Sequence, residues 1–289
     1  MKFLFIGAFA LSLSCLTATV SAADQAVANP FAAKPLFFEL KGEATQGGVM
    51  IGRAAPNSTV TLDGKPVLVA PDGSFVIGFG RDHGLTAALD VSVNRGPRER
   101  RTLIVAPRIF DIQSIKGVAQ KYVEPSPEDM KRIQEEQRLI REARAKRSMV
   151  GDFANGFVWP ITGIITSVYG SQRIFNGQPR APHNGVDIAA PSGTPIHAAA
   201  DGTVALAGPD LFFNGNLMIL DHGLGFTTVY AHMSEFLVKQ GDKVKKGQVI
   251  GKVGATGRVT GPHLHWGANW AGIGVDPSQL VGPIPKAEP

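Results

Sequence analysis

Two histidines stand one residue apart in Thr260-Gly261-Pro262-His263-Leu264-His265-Trp266-Gly267. If this stretch is a β-strand, residues i and i+2 share a face, which sets the His263 and His265 Cα atoms about 6.5–7 Å apart. That spacing suits one centre, with one imidazole binding a metal and the other moving a proton. Upstream, His183-Asn184-Gly185-Val186-Asp187 places a carboxylate four residues after a third histidine. Pro182, Gly185 and Pro191 argue against a helix there. On a straight strand the Cα atoms of His183 and Asp187 would be about 13 Å apart, so the segment has to bend, and Gly185 is the natural place. His183, Asp187 and one histidine of the 263/265 pair would then make a His₂Asp set. Three N/O ligands with an open fourth position are the pattern of a catalytic zinc site. A thiolate site is excluded, because the single cysteine, Cys15, lies in the N-terminal apolar segment.

The elements that must position these residues read as mainly β. Between residues 155 and 282, strand-like runs at 164–169, 194–198, 202–206, 217–220, 227–231, 243–244, 249–253 and 264–268 are punctuated by glycine turns, and nothing reads as a long helix. An antiparallel β-domain is expected there. Residues 35–107 repeat short apolar runs about every ten residues, with Asp63-Gly64 as a hairpin signal, and suggest an immunoglobulin-like sandwich. Residues 108–154 read as a linker carrying a charged helix over about 126–148. Ser126 caps it, Pro127 opens it, and a narrow stripe of Met130, Ile133, Leu139, Ile140 and Ala143 faces something. That helix is either a solvated spacer or a contact for a partner.

At this point the residues carry a resemblance. His183-x-x-x-Asp187, then Tyr230-Ala231-His232, then His263-Leu264-His265 resemble, in order, the lysostaphin/LytM-type zinc metallopeptidases. The flanking Gly185-Val186-Asp187-Ile188-Ala189-Ala190-Pro191, Asp221-His222-Gly223 and Thr256-Gly257-x-x-Thr260-Gly261-Pro262 match as well, so the resemblance covers about residues 157–280. It implies the antiparallel fold of that family (a duplicated hybrid motif) and one Zn²⁺ held by His183, Asp187 and His265. It also implies that His232 and His263 act as general base and electrostatic partner, with peptide bonds of peptidoglycan stems or cross-links as substrate. Tyr230, Asn184 and Arg258 are substrate-binding candidates. The alternative is a non-catalytic regulator on the same fold that activates another wall hydrolase; it predicts a missing ligand, and none is missing.

The rest of the chain is consistent with work in a cell envelope. Met1-Lys2, an apolar run over residues 3–16 and small residues before position 23 read as a signal peptide over residues 1–23, so export to a bacterial periplasm or envelope, or secretion, is expected. No other stretch is apolar enough to span a membrane. Of 289 residues 44% are hydrophobic and 18% charged, an ordinary globular balance. The net charge of +5 suits an anionic surface such as a wall. Export and the lack of interleaved aromatic and basic residues count against nucleic acid. Residues 24–150 are a candidate region for a regulatory protein partner. His222 is read as a turn residue with a structural role, His197 as packing within a strand, His83 as a turn residue, and Trp266 and Trp270 as packing or groove wall.

Overall fold

The computed structural model describes residues 36–93, 96–145, 148–153 and 155–285. The expected signal peptide and the basic pair Lys146-Arg147 lie outside them. The first seven strands are β1 (Phe37–Gly42), β2 (Val49–Ala54), β3 (Ser58–Leu62), β4 (Lys65–Val67), β5 (Ser74–Gly78), β6 (Thr86–Val93) and β7 (Arg98–Ile104). They form two antiparallel sheets, β1-β2-β5 and β4-β3-β6-β7. Val60, Leu62, Leu89 and Val91 of one sheet and Val49, Phe75 and Ile77 of the other share one core. Asp63 and Gly64 both take positive φ, 50° and 74°, which is the two-residue hairpin that their types allow.

The connecting stretch is more structured than a linker. It contains a short strand, β8 (Ile112–Ile115), a single turn of helix, α1 (Gln120–Val123), and the charged helix α2 (Pro127–Ala145). Ser126 caps α2 as its type suggests, its Oγ accepting from the Asp129 amide at 3.1 Å. The apolar stripe of α2 buries Ile133 and Ala143. Ala143 packs with Leu217, Ile219, Val229 and Ala231.

The remaining strands are β9 (Ile164–Ser167), β10 (Gln172–Phe175), β11 (Gln178–Pro179), β12 (Val186–Ala189), β13 (Pro195–His197), β14 (Gly202–Leu211), β15 (Gly215–Asp221), β16 (Phe226–Phe236), β17 (Lys243–Val244), β18 (Val249–Val253), β19 (His263–Trp270) and β20 (Ile273–Val275). The main path of the large sheet runs β17-β14-β15-β16-β19-β12-β9, and its pairings are antiparallel. A smaller sheet, β11-β10-β8, joins the connecting stretch to the C-terminal half through a parallel β8–β10 pairing.

The N-terminal and C-terminal halves pack against each other. Phe226, Ala268, Trp270 and Val275 of the C-terminal half lie in the same core as Phe75 and Ile77. Arg108 reaches Asp276 at 2.9 Å, and Arg81 Nε donates to the Gly170 carbonyl at 2.7 Å. The N-terminal sheets therefore buttress the sheet that carries the histidines.

Candidate active site

Strand register gathers the ligand candidates. Asp187 on β12 pairs directly with His265 on β19, and Ala189 with His263. Directly opposed antiparallel residues have neighbouring side chains on one face. Thus Asp187 and His265 meet although 78 residues separate them. His183, just before β12, swings back so that its Nε2 lies 3.0 Å from Asp187 Oδ1 and 2.9 Å from His265 Nδ1. His265 Nδ1 is 2.8 Å from Asp187 Oδ1. The bend comes in the His183–Asp187 segment, where Gly185 passes close against β19. A Cβ there would stand 2.5 Å from the Trp266 carbonyl oxygen and 2.8 Å from His265 Cε1.

Three donor atoms 2.8–3.0 Å apart form a nearly equilateral triangle. A tetrahedral ion with ligand bonds of 2.0–2.1 Å requires edges of about 3.3 Å, so the triangle accommodates zinc after each atom moves a few tenths of an ångström. The tautomers agree. His183 Nδ1–H donates to Ser167 Oγ (2.9 Å) and faces the Val168 carbonyl (3.2 Å), which leaves the Nε2 lone pair pointing inward. Burial pushes the His183 imidazolium down to about 4, so it is neutral and ready to ligate near pH 7. Burial opposes ionisation of Asp187, but the His183 and His265 rings against it outweigh burial and hold the carboxyl well below its ordinary range.

His232 and His263 stand beside this triad with ring centroids 4.8 Å apart. Each spends its Nδ1–H on a backbone carbonyl, His232 on Thr256 at 2.9 Å and His263 on Gly261 at 2.9 Å. In each ring Nε2 is the nitrogen left to act. His263 Nε2 lies 3.9 Å from Asp187 Oδ1. Burial, and then the charges of His265 and His263, lower His232 to about 3, so it too is neutral.

His232 reaches the site only because β16 breaks its alternation. Tyr230 and Met233 lie in the core on the opposite face, while Ala231 packs beside α2. A regular strand would send His232 into the core with Tyr230. Instead the β15–β16 register shifts between Asn216 and Met218, and His232 takes φ +64°. Such a backbone costs a non-glycine residue on the order of 1–3 kcal/mol and marks functional positions.

The substrate candidates divide. Asn184 is exposed beside His265 in a cavity that continues toward Arg144 of α2. Arg258 lines a second cavity with His232 and His263. Tyr230 is removed from the candidates, because it is fully buried and its hydroxyl accepts from the Ala199 amide at 2.9 Å. His222 is likewise fully buried, between the Asp201 carbonyl and Thr228 Oγ1, and serves structure. His197 faces the Pro160 carbonyl at 3.2 Å, and His83 sits at a turn against Phe79. Trp266 and Trp270 are core residues.

Two site residues escaped the sequence reading. Arg173 Nη2 binds Asp187 Oδ2 at 2.5 Å and so turns Oδ1 toward the histidines. Gln113 of β8 accepts from Ser167 Oγ at 2.7 Å, which orients the hydroxyl that receives the His183 Nδ1–H. Arg173 lies on the β10–β11 hairpin, whose turn is Asn176-Gly177 with φ +48° and +85°. That dipeptide is a strong hairpin signal and was available in the sequence. Gln113 carried none.

The sequence matches Peptidase family M23 over residues 181–277. "Peptidoglycan DD-endopeptidase ShyA" of Vibrio cholerae is 50% identical over 86 residues, 30% of this chain and 20% of that protein. "DD-carboxypeptidase/endopeptidase Mpg" of Neisseria meningitidis is 46% identical over 104 residues, 36% of this chain and 24% of that protein. The chain thus spans only a fifth to a quarter of the length of these relatives. A crystal structure named for peptidase M23, from Pseudomonas aeruginosa, superposes with a TM-score of 0.64 at 33% identity, covering 83% of this chain and 96% of that one.

Proposed function

Because the chain belongs to peptidase family M23, we propose that it is a zinc-dependent endopeptidase that cleaves peptide bonds in peptidoglycan, in the envelope of a bacterium. The observation that carries this reading is the triangle of His183 Nε2, Asp187 Oδ1 and His265 Nδ1, flanked by two imidazoles pinned through Nδ1. The names of the Vibrio and Neisseria relatives support D,D cross-links as the bond cut.

A zinc ion held by His183, Asp187 and His265 would polarise the scissile carbonyl and acidify an attacking water. The chain's own residues do the rest. Arg173 keeps one Asp187 oxygen occupied and the other facing the site. His232 and His263 divide two tasks, taking the proton from the water and returning one to the leaving amine. Whichever is protonated also donates to the developing oxyanion. The presence of all five residues favours this reading over the regulator alternative, which predicts a gap among them.

Zinc-loaded protein should release muropeptides from bacterial sacculi, with the bond read by mass spectrometry. Full activity after complete zinc removal, or intact sacculi with zinc bound, overturns the proposal.

The stretch from β8 to α2 also supports a regulated site. Ile115 borders both cavities beside His263, and α2 borders the one beside His265. A regulatory protein partner that draws residues 108–145 aside would widen the groove. On this reading Ile115→Asp raises the rate on sacculi; an unchanged or lower rate with zinc content intact removes it.

A further inference from the structure

Arg258 is held unlike any other cation near the site. Its guanidinium carbon lies 4.7 Å from the Phe175 ring centre and 4.5 Å from that of Phe213. Stacking against two rings fixes the plane of the guanidinium and leaves its N–H groups directed along that plane. Among the described residues it makes no ion pair, whereas the neighbouring arginines are committed. Arg173 binds Asp187, and Arg180 donates to the Val123 carbonyl at 2.6 Å and to Gln178. Burial and the charges of Arg173 and Arg180 lower Arg258 to about 10, which leaves it cationic at neutral pH in a region rich in positive charge. It lines a cavity of about 200 Å³ together with His232, His263 and Asp187. Asp187 is the one carboxylate in that lining, and it already faces His183, His265 and Arg173.

An anchored guanidinium whose donors meet no carboxylate among the described residues is suited to recognising one in a planar, two-point contact. The chemistry of the bond says where that carboxylate sits. A D,D bond joins two D-amino-acid centres, so the carbon bonded to the scissile nitrogen carries its own α-carboxyl group. A bridge made through glycine or through a lysine side chain has no carboxylate at that position.

We infer that Arg258, clamped by Phe175 and Phe213, is a specificity-determining residue that binds the free α-carboxylate on the amine side of the scissile bond. This rests on the peptidase reading above. Two substrates offer the same group: a cross-linked stem, where the amine-side residue is a branching diamino acid, and an uncross-linked stem ending in a D-amino acid.

The test uses the full chain loaded with zinc and synthetic peptides in matched pairs, each with the amine-side α-carboxyl either free or amidated, one pair branched and one linear. The acid should be preferred over the amide by about 10- to 100-fold in kcat/KM, the range of a charge-assisted hydrogen bond. Arg258→Gln should collapse that ratio toward one, and Arg258→Lys should restore part of it. Preference in the branched pair identifies the cross-link as the source, and preference in the linear pair identifies the free stem. A purely structural role for Arg258 would lower both members of a pair and keep their ratio. No acid preference in the wild-type protein, or a ratio that survives Arg258→Gln, overturns the inference. Calorimetric titration of the same peptides separates it from the parent reading. Acid-selective binding lost in Arg258→Gln, without cleavage of any peptide, upholds the subsite and sinks the endopeptidase. Equal binding of acid and amide sinks the subsite.

Discussion

Gly185→Ala should disable the metal site without touching a ligand. A Cβ at position 185 falls 2.5 Å from the Trp266 carbonyl oxygen, 2.8 Å from His265 Cε1 and 3.0 Å from His265 Nε2. Ordinary carbon–oxygen and carbon–carbon contacts begin at about 3.3 and 3.5 Å, so the methyl group is about 0.7–0.8 Å too close to each. The Trp266 carbonyl belongs to the β12–β19 pairing through Val186, and retreat would loosen the ladder that carries Asp187 and His265. The His265 ring is the freer of the two and takes most of the displacement. Metal ligands tolerate about 0.2 Å of misplacement. A displacement of about 0.7 Å exceeds that and should weaken zinc by at least the roughly 10- to 100-fold typical of lost support around a ligand, about 1.4–2.8 kcal/mol. Overpacking should cost the fold only about 1–3 kcal/mol, so the variant should remain folded. The assay is a competitive chelator titration for zinc affinity, with the melting temperature of the zinc-free protein alongside. Gly261→Ala is the control, since a Cβ there meets nothing within 4 Å and the residue is only two positions from His263. If Gly185→Ala binds zinc as tightly as the wild-type protein while Gly261→Ala does the same, His265 is not a ligand in this geometry.

Three further outcomes are expected. His263→Ala should retain zinc, seen by metal analysis, yet lose about 10²–10⁴ in kcat, whereas Asp187→Ala should lose the metal; equal metal loss in both would merge roles that the geometry keeps apart. Burial lowers His222 from 6.5 to about 4, so its neutral folded form stabilises the protein fully above pH 6.5, and that stability is lost as pH falls from about 6.5 through about 4, up to about 3 kcal/mol in total; denaturant titrations between pH 8 and 4.5 should show that slope reduced in His222→Gln. Tyr230→Phe should cost about 1–3 kcal/mol by stranding the buried Ala199 amide while kcat/KM per folded molecule stays at the wild-type value; a selective loss of activity would return Tyr230 to the groove.

Much of the β-architecture was legible because alternation and turn chemistry are local. The runs around β14 to β19 fell where expected, as did the Asp63-Gly64 hairpin and the Ser126 cap of α2. β8, β10 and β12 were not recognised. β12 has only four residues, and its three buried positions form a run rather than an alternation. β8 is largely exposed and owes its existence to a partner 60 residues away, since Ile112 pairs with Gln172. That the N-terminal and C-terminal halves share a core was not legible, because a composition shift marks a change of element, not a gap in packing. Trp270 and Phe75 are in one core although nearly two hundred positions separate them.

The sequence by itself determined the chemistry on offer: imidazole and carboxylate donors with no thiolate to compete, and a His-x-His pair that any strand must present on one face. Tertiary structure decided which of these groups meet and how each is turned. Pairing of β12 with β19 placed Asp187 beside His265 and not His263. The break in β16 brought His232 out of the core and left Tyr230 inside it. Backbone carbonyls of Thr256 and Gly261 fixed which nitrogen each remaining imidazole presents, and Arg173 from a separate sheet fixed which oxygen of Asp187 faces inward. None of these follows from residue type, because each depends on a register or a contact between segments that are remote in the chain.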